Sequence, residues 1–487
     1  MPAHRELAEM PPPSEETLHA SPHYRWLVTL TVILATSAMV VEATIINVAV
    51  PAIMRRFAMS HDTAQWLSTG FLGAMASTML LASWFEKAFG QRRTYMVALS
   101  LFVLASLLGG LADNGELLIV ARILQGAISG LIQPLGMVAI YRAFPVAERG
   151  RAMSIFGLGV VLAPALGPAV GGYLVDLFSW RAIFFVTVPF CLLGVWLSAR
   201  YLPEREVAHH RPSFDWLGCL LLMLFLASLL MGFVAGHNKG WLSAEFLLRL
   251  TFTLGLAVAF VALEAKLSHP LLNLALLKNS RFAAATLVAF VYGLGLYGST
   301  YLIPVFVQAV MHYDAGQSGM LLLPGGIALA LSVTVAGRLT DSFPAYWLMI
   351  AGLVWLAASF LLLAGTGQTA SFLLMATWIV IGRTGLGITI PALNIGALKT
   401  VTPEHLAQAS GAVNFFRQLG GAIGVNVLSI LLEWLSSRIP QAGQSIEQVQ
   451  EAAFRDCFMV LAAVFLLAIY PAWRIREAKR DNLPQEN

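Results

Sequence analysis

Apolar residues run in long blocks along almost the whole chain. They fall at about 26–50, 63–83, 94–112, 117–140, 153–175 and 182–202, then 216–236 and 245–264, then 282–308, 318–338, 345–365, 371–395, 408–432 and 457–475. Each block is close to the roughly 20 residues that a helix needs to cross a hydrocarbon core. The blocks are continuous, not alternating, which excludes barrel strands. The pattern predicts an all-α integral membrane protein of about 14 transmembrane helices. Its grouping predicts a disordered cytoplasmic tail (1–25), an N-terminal six-helix bundle (26–202), two inserted transmembrane helices with linkers (203–275), a C-terminal six-helix bundle (276–475) and a cytoplasmic tail (476–487).

Composition agrees: the 487 residues are 58% hydrophobic and 11% charged, well below the roughly 25% charged content of soluble domains. The net charge of +4 does not point to nucleic acid, because the basic residues sit mainly at helix ends. With a cytoplasmic N-terminus, roughly two thirds of the Lys and Arg fall on the inner side, Arg92, Arg93, Arg142, Arg149, Arg151 and Arg200 among them, as the positive-inside rule requires. Cys191, Cys219 and Cys457 lack paired spacing, so neither a disulfide framework, a metal nor any cofactor is expected. No P-loop, HExxH or GxSxG is present, which argues against an enzyme or a nucleotide-driven pump.

Against this apolar background a few polar residues stand out. Glu42, in "VEATIINVAVP", lies past the middle of the first helix on a stripe with Thr31, Ala35 and Ala38, whose small side chains leave room for water or ligand. An acid there costs about 2.5–3.5 kcal/mol to insert, so it is expected to face a cavity or a partner and to be able to hold a proton. A structural hydrogen bond between helices is the competing reading.

Arg122, Arg383 and Arg417 are the only other charges deep in spans. The fourth and twelfth helices, "RILQGAISGLIQP" and "RTGLGITIPALN", each carry Gly four positions after the Arg and an amide, Gln133 or Asn394, eleven after. This puts Arg, Gly and amide on one face and points to two halves related as repeats. Arg122, beside Gln125, Gly126 and Ser129, is a candidate to answer the protonation of a nearby acid. For Arg383 an architectural role is equally open, and Arg417 is expected to snorkel.

In the fifth helix, "GLGVVLAPALGPAVGGYLVD" sets Gly159, Ala163, Gly167 and Gly171 four apart, with Pro164 and Pro168 likewise and Gly172 adjacent. Such a face suits close helix approach, as a static seam or as a gating surface. The connections "SWFEKAFGQRR" and "GRLTDSFPAYW" follow the second helix of each half. There Lys87, Gly90 and Arg92 in one, and Asp341 in the other, are candidates for an inner gate. Gln133, Tyr292, Tyr297, Gln308, Arg383, Asn394 and Asn414 are candidates to line a substrate cavity through stacking, hydrogen bonding and cation–π contact.

Taken in order, "VEATIINVAVP", "RILQGAISGLIQP", "APALGPAVGGYLVD" with "WRAIFFVTVPF", "FDWLG", "EAKLSHPLLNLALLKNSRF", "LLPGG" and "NFFRQLGGAIG" resemble the motifs of the fourteen-helix drug:proton antiporters of the EmrB/QacA type, within the major facilitator superfamily. The resemblance runs from about residue 25 to 475. It implies the major facilitator fold, two six-helix bundles plus two inserted helices, and export of amphipathic, often cationic drugs in exchange for protons by alternating access. Proton-coupled uptake by the same fold is the alternative.

The resemblance further implies proton-coupling roles for Glu42, which stands where the family usually has Asp, and for Arg122. It also implies an antiporter motif at Pro164, Gly167, Pro168, Gly171 and Gly172. Lys87 stands where the wider superfamily has an acid, and Asp341 keeps that acid in the second half. Finally, it implies a bacterial inner-membrane location, where the loop charges and even helix count put both termini in the cytoplasm, and a periplasmic adaptor and outer-membrane channel as partners; residues 436–456 are long enough to dock them, a plain amphipathic loop being the alternative.

Overall fold

The structure is a computed structural model that describes residues 22–59, 61–204, 214–267, 270–313, 315–368, 370–437 and 446–476. The expected N- and C-terminal tails therefore lie almost wholly outside the described residues, as does the middle of the 436–456 segment. The apolar blocks become helices, in order α1 (Pro22–Phe57), α2 (His61–Met79), α3 (Ala82–Phe89), α4 (Gln91–Gly110), α5 (Gly115–Ala143), α6 (Arg149–Leu177), α7 (Ala182–Phe185), α8 (Val188–Tyr201), α9 (Trp216–Lys239), α10 (Ala244–Glu264), α11 (Leu274–Lys278), α12 (Ser280–Ala309), α13 (Ala315–Ser342), α14 (Ala345–Ala364), α15 (Phe372–Leu398), α16 (Leu406–Ser436) and α17 (Ile446–Arg474). No strand occurs among the described residues.

Twelve helical segments are long and apolar enough to cross a membrane, and the pair α2/α3, bent by 55°, makes a thirteenth if it is one span. The 29-residue α6, rich in Gly and Pro, occupies the place expected of the fifth crossing. The starts are fixed locally. Asn114, Asp215, Ser243 and Ser371 each accept a hydrogen bond from a backbone N–H in the first turn of α5, α9, α10 and α15, satisfying donors that the helix itself leaves open.

The chain divides into two compact units. One comprises residues 1–273 with 404–415, and the other residues 274–403 with 416–487. Within the first, α1 packs on α5, α6 and α8, α2 on α5, and α4 on α5 and α8; the inserted pair α9–α10 packs on itself and, through α9, on α2. Within the second, α13 packs on α15, α14 on α15 and α17, and α12 on α15 and α17. Second-on-fourth, third-on-fourth, third-on-sixth and first-on-fourth pairings thus occur in both units.

One expected connection is a helix. "SWFEKAFGQRR" forms α3 and the start of α4, joined at Gly90, whose φ of 81° is costly for any residue with a Cβ. The residue before Lys87 explains why. Glu86 is buried and forms an ion pair with Arg142 on α5, whereas Lys87 is exposed. Gln91 donates to the Leu135 carbonyl at 2.8 Å, and Arg92 reaches the Ala199 carbonyl and Glu204. The gate candidate Lys87 faces outward, and the neighbouring Glu86 is the residue that the helix turns inward.

Candidate functional site

Gly126 and Gly130 set the geometry. A Cβ at either would collide with the α2 backbone at Phe71 or Met75, so these glycines let α5 lie directly on α2. Arg122, one turn earlier on the same face, can then reach across. Its Nε donates to the Leu67 carbonyl at 2.9 Å, its Nη2 to the Glu42 backbone carbonyl at 3.1 Å, and its Nη1 to Gln125 Oε1 at 2.9 Å and Glu42 Oε1 at 3.2 Å. The Phe71 ring lies against the guanidinium, 4.3 Å from centroid to Cζ. Both charged side chains are 0% exposed.

The carboxylate of Glu42 is shared among three donors. Oε1 accepts from Arg122 and from Gln125 Nε2 at 3.3 Å, and Oε2 accepts from Thr187 Oγ1 at 3.3 Å. Gln125 also donates to Ser106 Oγ on α4 at 2.9 Å. An unpaired charge buried here would be costly by several kcal/mol; this pair is compensated on every side. Three of Arg122's four bonds go to neutral oxygens, so its position does not require a charge on Glu42. The guanidinium is thus held mainly by groups other than the Glu42 carboxylate.

The sequence identified Glu42, Arg122 and Gln125 but missed Ser106 and Thr187, ordinary hydroxyls distant in the chain. The Thr31, Ala35, Ala38 stripe is packed rather than open: all three are buried, with Gly194 of α8 against Ala35. Glu42 therefore faces a partner, not a void. The glycine face of α6 lies on the same helix. A Cβ at Gly167 would strike Thr44 Oγ1 and approach the Val41 carbonyl at 3.0 Å, and one at Gly171 would meet Ile45 Cγ1 at 2.6 Å. Gly172, 3.7 Å from Val48, has room. Pro164 and Pro168 lie within the continuous α6, and their side chains lie outside the described residues.

In the second unit Arg383 donates to Thr300 Oγ1 at 3.2 Å, with Thr300 exposed. A Cβ at Gly387, four residues on, would meet Ser332 Cβ at 2.7 Å and the Leu329 carbonyl of α13 at 2.8 Å, as one at Gly126 would meet α2. Arg417 does not snorkel. It is 4% exposed and interacts with Tyr292 and Tyr297, because α12 and α16 meet closely at Gly293 and Gly420. Tyr297 donates to Gln418 at 3.1 Å.

The other cavity candidates are dispersed. Gln308 is exposed in the last turn of α12, Asn414 donates to the Ser410 carbonyl at 2.9 Å, and Asp341 is exposed at the end of α13. The buried Gln133 Oε1 and both polar atoms of Asn394 have no hydrogen-bond partner.

Twelve helical segments long and apolar enough to span, with a sealed acid–base pair in the first unit, are the marks of a multi-pass membrane protein. The chain belongs to the Major Facilitator Superfamily, whose model matches residues 32–425. Its relatives include the multidrug resistance protein B homolog of Mycobacterium tuberculosis, 32% identical over 398 residues, which cover 81% of this chain and 74% of that protein. The multidrug export protein EmrB of Haemophilus influenzae is 29% identical over 407 residues, covering 83% and 80%. In fold the chain is similar to the human organic anion transporter MFSD10, with a TM-score of 0.68 at 16% identity over 93% of this chain and 100% of that one. It is likewise similar to the proton:xylose symporter XylE, with a TM-score of 0.65 at 14% identity over 93% and 96%.

Proposed function

We propose that the chain is a proton-coupled multidrug exporter that moves amphipathic compounds, cationic ones included, out of a bacterial cell across the inner membrane in exchange for protons. The observation that carries this reading is the Glu42–Arg122 pair, 0% exposed on both sides, in a relative of proteins named for multidrug resistance and export. In this reading Glu42 takes up a proton from one side and releases it to the other. Arg122, held by neutral oxygens, then meets either a carboxyl or a carboxylate, and the difference in attraction biases how α1, α2, α5 and α8 pack. The seam of α6 on α1 transmits that change. Inward movement of one proton supplies about 2.3 kcal/mol per 100 mV and about 1.36 kcal/mol per pH unit, enough for roughly hundredfold accumulation.

The rocking element of this scheme is the bundle, with both termini cytoplasmic. Lys87, Gly90, Arg92 and Asp341 sit at the ends that open and close, and Gln133, Tyr292, Tyr297, Gln308, Arg383, Asn394 and Asn414 contribute to the drug path. In a double-membraned cell a periplasmic adaptor and an outer-membrane channel would complete export.

Glu42→Gln in proteoliposomes with an imposed pH gradient tests the assignment. Gradient-driven drug transport is expected to vanish while drug-for-drug exchange persists, and Glu42→Asp is expected to retain activity. Undiminished gradient-driven transport by the Gln variant would reject it. Drug accumulation together with protons, on the same side, would instead identify uptake by symport.

A further inference from the structure

Of the two inserted helices, α10 has little to hold it. Of the residues of α10, only Thr253, Phe260 and Glu264 are buried among those described, and large residues such as Leu248, 72% exposed, and Val258, 69% exposed, face outward. In a hydrocarbon solvent apolar faces give helices no reason to associate, and polar contacts take over. Two such contacts fasten α10 to α9. Ser228 and Thr253 share a hydrogen bond of 2.6 Å. At the other end, Glu264 faces Asp215, and this second contact joins two acids.

Asp215 caps α9 through Oδ1, which accepts from Gly218 N at 2.8 Å, leaving Oδ2 buried without a donor. Glu264, 2% exposed, accepts from Leu272 N through Oε2 at 3.0 Å, leaving Oε1 buried without a donor. The two orphaned oxygens crowd the same glycine. A Cβ at Gly218 would strike Asp215 Oδ2 and meet Glu264 Oε1 at 2.6 Å. Besides Asp215, the described groups that face Glu264 are the Leu271 and Leu272 amides, and the Cys219 thiol lies near Asp215. No Lys or Arg among the described residues supplies a counter-charge.

Two ionised carboxylates in such a place repel, and each would keep a buried acceptor unmet. A single proton placed between the orphaned oxygens removes both penalties at once. We propose that Asp215 and Glu264 form a second proton-binding site, a carboxyl–carboxylate latch that closes the inserted helix pair when protonated and loosens when the proton leaves. The latch has a route to the rest of the first unit. Phe214, beside Asp215, packs edge-on against Trp84 of α3 at 4.7 Å, and α3 carries the Glu86–Arg142 ion pair. The inference goes beyond the proposed transport function and does not depend on Glu42.

Hydrogen exchange of the full-length protein in detergent, at several pH values and corrected for the intrinsic rate at each, tests it. In the wild type, protection of the segments flanking Asp215 and Leu272 should fall about tenfold or more as pH rises and the shared proton leaves. Glu264→Gln, whose amide donates permanently to Asp215, should keep these segments protected at all pH values, and Asp215→Asn should do the same from the other side. Equal pH dependence in wild type and both variants would overturn the latch, as would wild-type protection that is flat or rises with pH. Glu42→Gln should leave this readout unchanged, so failure of the latch and failure of the transport assignment are distinguishable.

Discussion

The two units carry the same arginine in different company. In each, an Arg on the fourth helix of the half is followed four residues later by a glycine that presses the helix onto the backbone of the second, Gly126 on α2 and Gly387 on α13. In each, the Arg reaches a residue of the first helix, separated from it by 80 positions in one case and 83 in the other. In the first unit that residue is the carboxylate of Glu42, and the pair is sealed. In the second it is the hydroxyl of Thr300, and the contact is exposed. The scaffold is therefore repeated while the titratable group is not. Among the described residues, an acid stands beside this arginine in the first unit and a hydroxyl in the second, and the proposed proton site rests on that asymmetry between repeats.

The same substitution in both units is the strongest way to break this comparison. Arg122→Met leaves Glu42 buried without its cation and should cost about 3–5 kcal/mol, whereas Arg383→Met should stay within about 1 kcal/mol, because its partner is an exposed hydroxyl. Thermal unfolding of the two variants in detergent measures the difference, and equal losses would show that the two sites are alike after all.

The shared scaffold predicts the opposite result for the glycines. Gly167→Ala drives a methyl into Thr44 and the Val41 carbonyl, and Gly420→Ala drives one into the Phe290 carbonyl, so both should lose about 1–3 kcal/mol. Gly172→Ala, whose methyl would make an ordinary 3.7 Å contact with Val48 Cγ1, should lose no more than about 0.5 kcal/mol. At the small end, Lys87→Ala should be silent within about 0.5 kcal/mol. Glu86→Ala, by breaking the ion pair with Arg142, should be clearly measurable, and a reversed order would show that Lys87 and not Glu86 carries the packing of α3.

The sequence made the helices legible because a membrane span is written in a run of apolar residues, and every block became a helix. It also made the two arginines legible, since charges are rare in such runs. It left other features obscure, each for a physical reason. Ser106 and Thr187 are hydroxyls whose importance comes only from what they face, and Leu67 contributes a backbone carbonyl that no side-chain pattern reveals. Lys87 drew attention by position in a motif, while Glu86 does the pairing because the segment is a helix and not a loop. Arg417 looked free to reach water, but close packing at Gly293 and Gly420 buries it. The Ala35 and Ala38 stripe looked like space, and neighbouring helices fill it.

The account stands on Glu42 exchanging a proton in place, beside an arginine that does not move away. Infrared difference spectra of the purified protein, recorded between acidic and alkaline buffers, observe this directly. The account predicts a protonated-carboxyl band that disappears on raising the pH in the wild type and is reduced by one carboxyl in Glu42→Gln. Identical difference spectra for the two proteins would mean that Glu42 keeps one charge state throughout, and would contradict it.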